Sequence, residues 1–167
     1  IAQNVKYEIK VLKRCLDLDI QGVYCDTMIA AYLLQPDRRQ VGLDALALDM
    51  LGHKMISFQE VTGSRKGQDA QFSKVQLDAA TAYAAEDADI TLRLAEILMP
   101  DLEKAGLVEL NRTVELPLTQ VIAVMEQTGI AIDPELLKAQ SAGYGEELTR
   151  LTDTIHGLAE GPFNIDS

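Results

Sequence analysis

The sequence predicts a mostly helical α/β chain, on three observations. Apolar residues recur at helical spacing in several stretches, the first being Val5, Ile9, Leu12 and Leu16. Short runs of β-propensity, Gly22-Val23-Tyr24-Cys25 and Ile130-Ala131-Ile132, fall between those stretches. After about residue 105 the mixture of loops, strands and helices gives way to two long amphipathic helices. That shift predicts a boundary, with one domain over 1–104 and the start of another over 105–167.

The elements follow in order. Val5 to Leu18 reads as a helix with Lys10, Lys13 and Arg14 on its polar side. Asp26-Thr27 reads as the cap of a helix from Met28 to Leu34. Leu43, Leu46, Met50 and Leu51 make one apolar helix face that ends near Gly52. Residues 56–72 show no periodicity, and Gly63-Ser64-Arg65-Lys66-Gly67 reads as an exposed basic loop. Ser73 with Gln76 matches a capping box, and a long helix is expected from Lys74 to Lys104, where Pro100 ends or kinks it. A further helix is expected from Leu107 to Gln127, kinked at Pro117. Asp133-Pro134-Glu135 is a strong start signal for a last helix reaching Ala159.

With 167 residues, 47% hydrophobic and 25% charged, the composition is that of a globular chain and not a disordered one. No apolar run has the length of a bilayer span, and nothing at the start reads as a secretory leader. Two cysteines suit a reducing compartment, and both read as core thiols. The net charge of −11 argues against a protein that simply coats DNA phosphates, but it admits a nucleic-acid enzyme working through metal. His53 and His156 stand in no zinc-ligand spacing, and there is no Walker or dinucleotide glycine loop. The chain starts at Ile1 and ends on a strand-like Phe163-Asn164-Ile165, which reads as a piece of something longer.

Two clusters carry chemistry. Tyr83 and Asp87 are four apart on a predicted helix and share a face. A carboxylate beside a phenol can hold a hard divalent cation and orient a water. Asn4, Tyr7 and Glu8 gather an amide, a phenol and an acid at a strand-to-helix turn. Taken alone, both clusters read as solvated polar faces.

Together they resemble a known family. Gln3-Asn4-Val5-Lys6-Tyr7-Glu8 resembles the second motif of the proofreading exonuclease domain in the bacterial DNA polymerase I family (family A), and Tyr83-Ala84-Ala85-Glu86-Asp87-Ala88-Asp89 resembles its tyrosine-containing third motif. Asp26-Thr27-Met28, Leu43-Asp44-Ala45-Leu46-Ala47 and Ser57-Phe58-Gln59-Glu60 are similar too, in the same order. Glu115-Leu116-Pro117-Leu118, Thr128-Gly129-Ile130-Ala131-Ile132-Asp133 and Phe163-Asn164-Ile165 resemble the opening of the polymerase domain. The resemblance covers essentially the whole chain.

The resemblance implies a ribonuclease-H-like 3′–5′ exonuclease fold without its N-terminal strands, followed by helices leading into the polymerase thumb. It implies removal of 3′ nucleotides from single-stranded DNA at a primer–template, in replication and repair, with two Mg²⁺ or Mn²⁺ ions. Asp87 and Glu8 would be metal ligands, Tyr83 would orient the attacking water, and Gln3, Asn4 and Tyr7 would line the groove for the 3′ end. Phe58 would pack against a base. Glu8 departs from the family's aspartate, and the family's first motif, Asp-x-Glu, is not in this sequence. The chain by itself is therefore expected to hydrolyse little or nothing. The resemblance also implies the rest of a polymerase chain as partner, no membrane, and a bacterial cytoplasmic, nucleoid-associated setting. The alternative is a non-catalytic exonuclease domain kept as a platform for the polymerase.

Overall fold

Asp26 organises the first two helices of the chain in a computed structural model that describes residues 1–63 and 71–165. Its carboxylate caps α2 (Thr27–Leu34) by accepting from the N–H groups of Met28 and Ile29. The same carboxylate accepts from Asn4 N–H at 3.1 Å and Val5 N–H at 2.6 Å, at the start of α1 (Val5–Leu16). Helix N-termini leave donors without partners, and one buried acid satisfies them for both helices. α1 stops at Leu16 rather than Leu18, because Asp17 turns into the left-handed region and its N–H closes back on Lys13.

α3 (Leu43–Leu51) ends at Gly52 with φ +63°, as its sequence predicts. α4 (Phe58–Thr62) is a short helix where no periodicity announced one. The capping box sits here, between Ser57 and Glu60. The expected box at Ser73 and Gln76 does not form: Phe72–Lys74 is a 3₁₀ turn, and α5 (Leu77–Lys104) starts after Gln76 without a side-chain cap. Of the expected basic loop, Ser64 to Gly67 lies outside the described residues. Pro100 is carried inside α5 without ending it. The next helix is interrupted: α6 (Val108–Leu110) runs through a π-turn, Asn111–Glu115, into α7 (Leu116–Thr128). The widened turn precedes Pro117, where a regular helix would lose a donor and meet the proline ring.

α5 is the axis of the core. Ile90, Leu94, Leu98 and Leu102 are buried along it against Ala30 and Ala31 of α2 and Leu46 and Ala47 of α3. Each fully buried leucine contributes about 1.5–3 kcal/mol. A second cluster joins Val5 and Ile9 of α1 to Ala123 of α7, flanked by Lys6 and Lys10, which both pair with Glu126 at 2.6 Å.

The strands expected at 22–25 and 130–132 do not form, and no strand is present among the described residues. Ala2 and Asp26 make one isolated parallel bridge. β-propensity is realised only against a neighbouring ladder, and Gly22–Cys25 has no longer partner here. Cys25 is buried as expected, its thiol pushed up to about 11 by desolvation and then by the Asp26 charge. Cys15 is not a core thiol: it is exposed on α1.

The chain divides into two units, Ile1–Thr128 and Gly129–Ser167. In the second, Asp133 caps α8 (Pro134–Leu158) by accepting from Glu135 and Leu136 N–H, with Pro134 at the first helical position as predicted. No helix among the described residues is long and apolar enough to cross a membrane.

Candidate functional site

The turn into α1 is held in an uncommon backbone state. Asn4 has φ 65° and ψ 57°, a left-handed conformation that asparagine tolerates better than most residues. Gln3 is tied down beside it: its Nε2 donates to Val41 C=O at 2.9 Å, and its Oε1 accepts from the Thr27 hydroxyl. The amide expected to meet substrate is thus already engaged by the protein. Tyr7 and Glu8 follow on the first turn of α1, both exposed.

Across from them runs α5. Tyr83 and Asp87 lie one turn apart on it, both half-buried. Ala84, Ala88 and Thr91 beside them are small, so the wall formed by α5 stays low. Gln3, Asn4, Tyr7, Glu8 and Asp87 line one cavity of about 850 Å³. Two motifs separated by about eighty residues of sequence therefore meet at one space. Tyr83 and Phe58 are not on its wall. They belong to an aromatic group, with ring centroids 6.4 Å apart and planes at 70°.

The electrostatics are those of an acidic site. Burial pushes the Asp87 carboxyl above its ordinary value, and the charges of Asp44 and Glu86 push it further. Burial also raises Tyr83, followed by Asp87, Asp44 and Glu86, so its hydroxyl stays protonated and able to donate. No lysine or arginine among the described residues pairs with Asp87 or Glu8. Oxygen donors and unneutralised charge fit the chemistry of a hard divalent cation. They do not fit a two-ion set: among the described residues no three acids, histidines or cysteines converge as a metal site.

Three contributors escape sequence reasoning. Asp44, in the first turn of α3, adds negative charge near Tyr83 and Asp87. Glu86 bonds to a loop described below. Phe72 completes the aromatic group, stacked on Phe58 at 6.1 Å and 16° and tilted on Tyr83 at 5.8 Å. Its only sequence signal is a phenylalanine isolated in an aperiodic stretch. Phe72→Ala is expected to lower stability by about 1 kcal/mol, the scale of an aromatic pair. It should also shift the ring resonances of both Phe58 and Tyr83, and unchanged resonances would dismiss the three-ring group.

The family model for the 3′–5′ exonuclease of A-type DNA polymerases matches residues 1–103. DNA polymerase I of Rhizobium leguminosarum is 41% identical over all of this chain and 16% of its own length. That of Treponema pallidum is 40% identical, also over 16% of its length, and that of Pseudomonas aeruginosa 36% identical, over 18%. The chain thus spans less than a fifth of the relatives it matches. Among solved structures, the POL domain of Pol1 from M. smegmatis, in complex with DNA primer-template and dNTP, has a TM-score of 0.74 over 99% of this chain and 25% of that one. At 23% identity this is a likeness of fold. The motifs meeting at one cavity, within a stretch matched from residue 1 to 103, mean that the chain belongs to the 3′–5′ exonuclease family of A-type DNA polymerases, the family of DNA polymerase I.

Proposed function

We propose that this chain is the exonuclease-to-polymerase segment of a DNA polymerase I, and that its cavity receives the 3′ end of single-stranded DNA for phosphodiester hydrolysis. One observation carries the reading: Glu8 and Asp87, from two remote motifs, line the same space. In this reading residues 1–104 form the rear of a ribonuclease-H-like exonuclease domain, and residues 105–167 lead into the polymerase.

Asp87 and Glu8 would hold a divalent cation, Mg²⁺ or Mn²⁺. When bound, such an ion neutralises the phosphate charge and activates water. The protein's own share is positional. Tyr83, one turn before Asp87 and off the cavity wall, keeps its proton and would offer a donor to a water on its own side of Asp87. Asn4 and Tyr7 line the path of the strand, and Phe58, outside the cavity wall, would offer a ring face to a base that extends past it. Gln3 holds the turn that presents Asn4. The remaining acids would come from the rest of a polymerase chain, in a bacterial cytoplasm.

The test is release of 3′-labelled nucleotide from a single strand by the full-length polymerase carrying this segment. Release that requires divalent metal and is lost in Asp87→Ala supports the reading. The 167-residue chain alone is expected to release little, since two carboxylates do not make a two-ion set.

A second reading is favoured by Glu8, one methylene longer than the family's aspartate: a domain retained as a platform without catalysis. Mn²⁺ binding separates the two. Glu8→Asp is expected to tighten Mn²⁺ binding by about tenfold, the scale on which metal sites respond to ligand placement. Electron paramagnetic resonance reads it. No Mn²⁺ bound by either version would favour the platform.

A further inference from the structure

The third motif contains an acid to which the proposed chemistry gives no work. Glu86 lies between Tyr83 and Asp87 in sequence but turns toward the segment that joins α3 to α4. Its Oε2 accepts from the Ile56 N–H at 2.7 Å, and its Oε1 meets His53 Nε2 at 2.8 Å. Its side chain is 16% exposed, whereas the ring of His53 is 37% exposed. The two contacts bracket residues 53–56. The next residue, Ser57, caps α4, and the first residue of α4 is Phe58. Phe58 in turn meets the ring of Tyr83, one turn before Asp87 on the same helix as Glu86.

This closes a loop of contacts: α5, Glu86, Ile56, Ser57, Phe58, and back to Tyr83 on α5. A five-residue helix has little cooperativity of its own, so its position depends on what anchors its ends. Its N-terminal anchor is Glu86. We infer that Glu86, assisted by His53, is a positioning residue that sets where the Phe58 ring stands relative to Tyr83 and Asp87, and so sets the seat of the terminal base. The inference rests on the proposed binding of a single-stranded 3′ end. Its structural half, the placement of Phe58, can be read without any strand.

The experiment uses the 167-residue chain and two probes. Nuclear Overhauser contacts between the Phe58 and Tyr83 rings, with hydrogen exchange at the Ile56 amide, report the placement. A single strand carrying 2-aminopurine at its 3′ end, titrated with Mn²⁺ present, reports the seat.

In Glu86→Ala the ring contacts should be lost and Ile56 exchange should speed up by about tenfold or more. Strand affinity should fall about tenfold, the scale of one stacked base. Phe58→Ala should give a similar loss, and the double variant should be no worse than either, because both remove the same seat. Glu86→Gln should keep the ring contacts, since its amide oxygen still accepts from Ile56.

Ring contacts that survive in Glu86→Ala overturn the inference, as do losses that add in the double variant. Should Glu86→Ala fail to fold, Glu86→Asp answers in its place: its carboxylate, one methylene shorter, is drawn back from the Ile56 N–H, and ring contacts and Ile56 exchange both unchanged there would overturn the inference. A wild-type chain that binds no strand, with the ring contacts intact and lost on substitution, would overturn the seat and leave the positioning of Phe58 standing; the proposed function falls separately, on 3′ release by the full-length polymerase.

Discussion

Asp26→Ala is expected to destabilise the Ile1–Thr128 unit by about 3–5 kcal/mol, measured by urea unfolding followed by circular dichroism. The side chain is buried and accepts from four backbone N–H groups, two at the start of each of two helices. A single helix cap is worth about 0.5–2 kcal/mol. Here the loss is larger because donors bonded to a charge are left buried without partners. Asp26→Asn should fall between. Its oxygen can serve Asn4, Met28 and Ile29, but its amide turns a donor toward the Val5 N–H. A change below 1 kcal/mol in Asp26→Ala would mean that water replaces the carboxylate and that the joint is not held as argued. The functional consequence follows from geometry: Asn4, Tyr7 and Glu8 are aimed by this joint, so divalent-cation binding should weaken in Asp26→Asn even where the chain folds.

Asp87→Asn is expected to weaken the proposed divalent-cation binding while making the chain more stable at neutral pH. With Asp87 as a proposed direct ligand, its removal should weaken Mn²⁺ binding by at least about 10–100-fold, the loss that even indirect ligand partners bring. The stability gain follows from the sign of the shift. Burial first, then Asp44 and Glu86, raise the Asp87 carboxyl above its ordinary value. A carboxyl raised on folding is penalised when ionised. The penalty is absent below its unfolded value, grows as pH rises toward the folded value, and is fully present above it. Asparagine escapes it, so its melting temperature should exceed wild type at neutral pH, by a margin scaling as about 2–4 °C per kcal/mol. The gain should vanish in acid below the aspartate range. A neutral-pH gain that persists in acid would assign it to something other than this charge. An acid held at a cost to stability and in no ion pair among the described residues is how functional sites commonly look.

Local signals were legible in the sequence and tertiary ones were not. Asp26-Thr27 and Asp133-Pro134-Glu135 announce helix starts because the capping chemistry is contained in a few adjacent residues. Ser57/Glu60 and Ser73/Gln76 match the same pattern, and only the former forms. The pattern does not encode where the helix begins: Ser73 falls inside the 3₁₀ turn Phe72–Lys74, and α5 starts only after Gln76. Gly22–Cys25 has the composition of a strand, but a strand is a relation between two segments. The π-turn before Pro117 has no periodic signature: Leu110, Val114, Leu118 and Met125 keep helical spacing in the sequence yet are exposed, while Asn111, Leu116, Thr119 and Ala123 are buried. At the site, Tyr83 and Asp87 share a face by spacing alone. That Glu8 faces the same cavity came from the family resemblance, since nothing in local spacing links residue 8 to residue 87. Asp44, Phe72 and Glu86 act through contacts made only on folding.

The attachment of α1 to α7 sets the limits of what can be exchanged between relatives. The family model stops at residue 103, and a recombinant spliced there would look conservative on sequence. Yet Val5 and Ile9 are covered by Ala123, and Lys6 and Lys10 both reach Glu126. A chimaera joined at 103 would bring the motif helix from one ancestor and its backing from another, mismatching an apolar seam and a three-residue charge cluster together. The piece that can be inherited whole is Ile1–Thr128, and substitutions in α7, which carries none of the motif residues, belong to the history of the site that α1 presents.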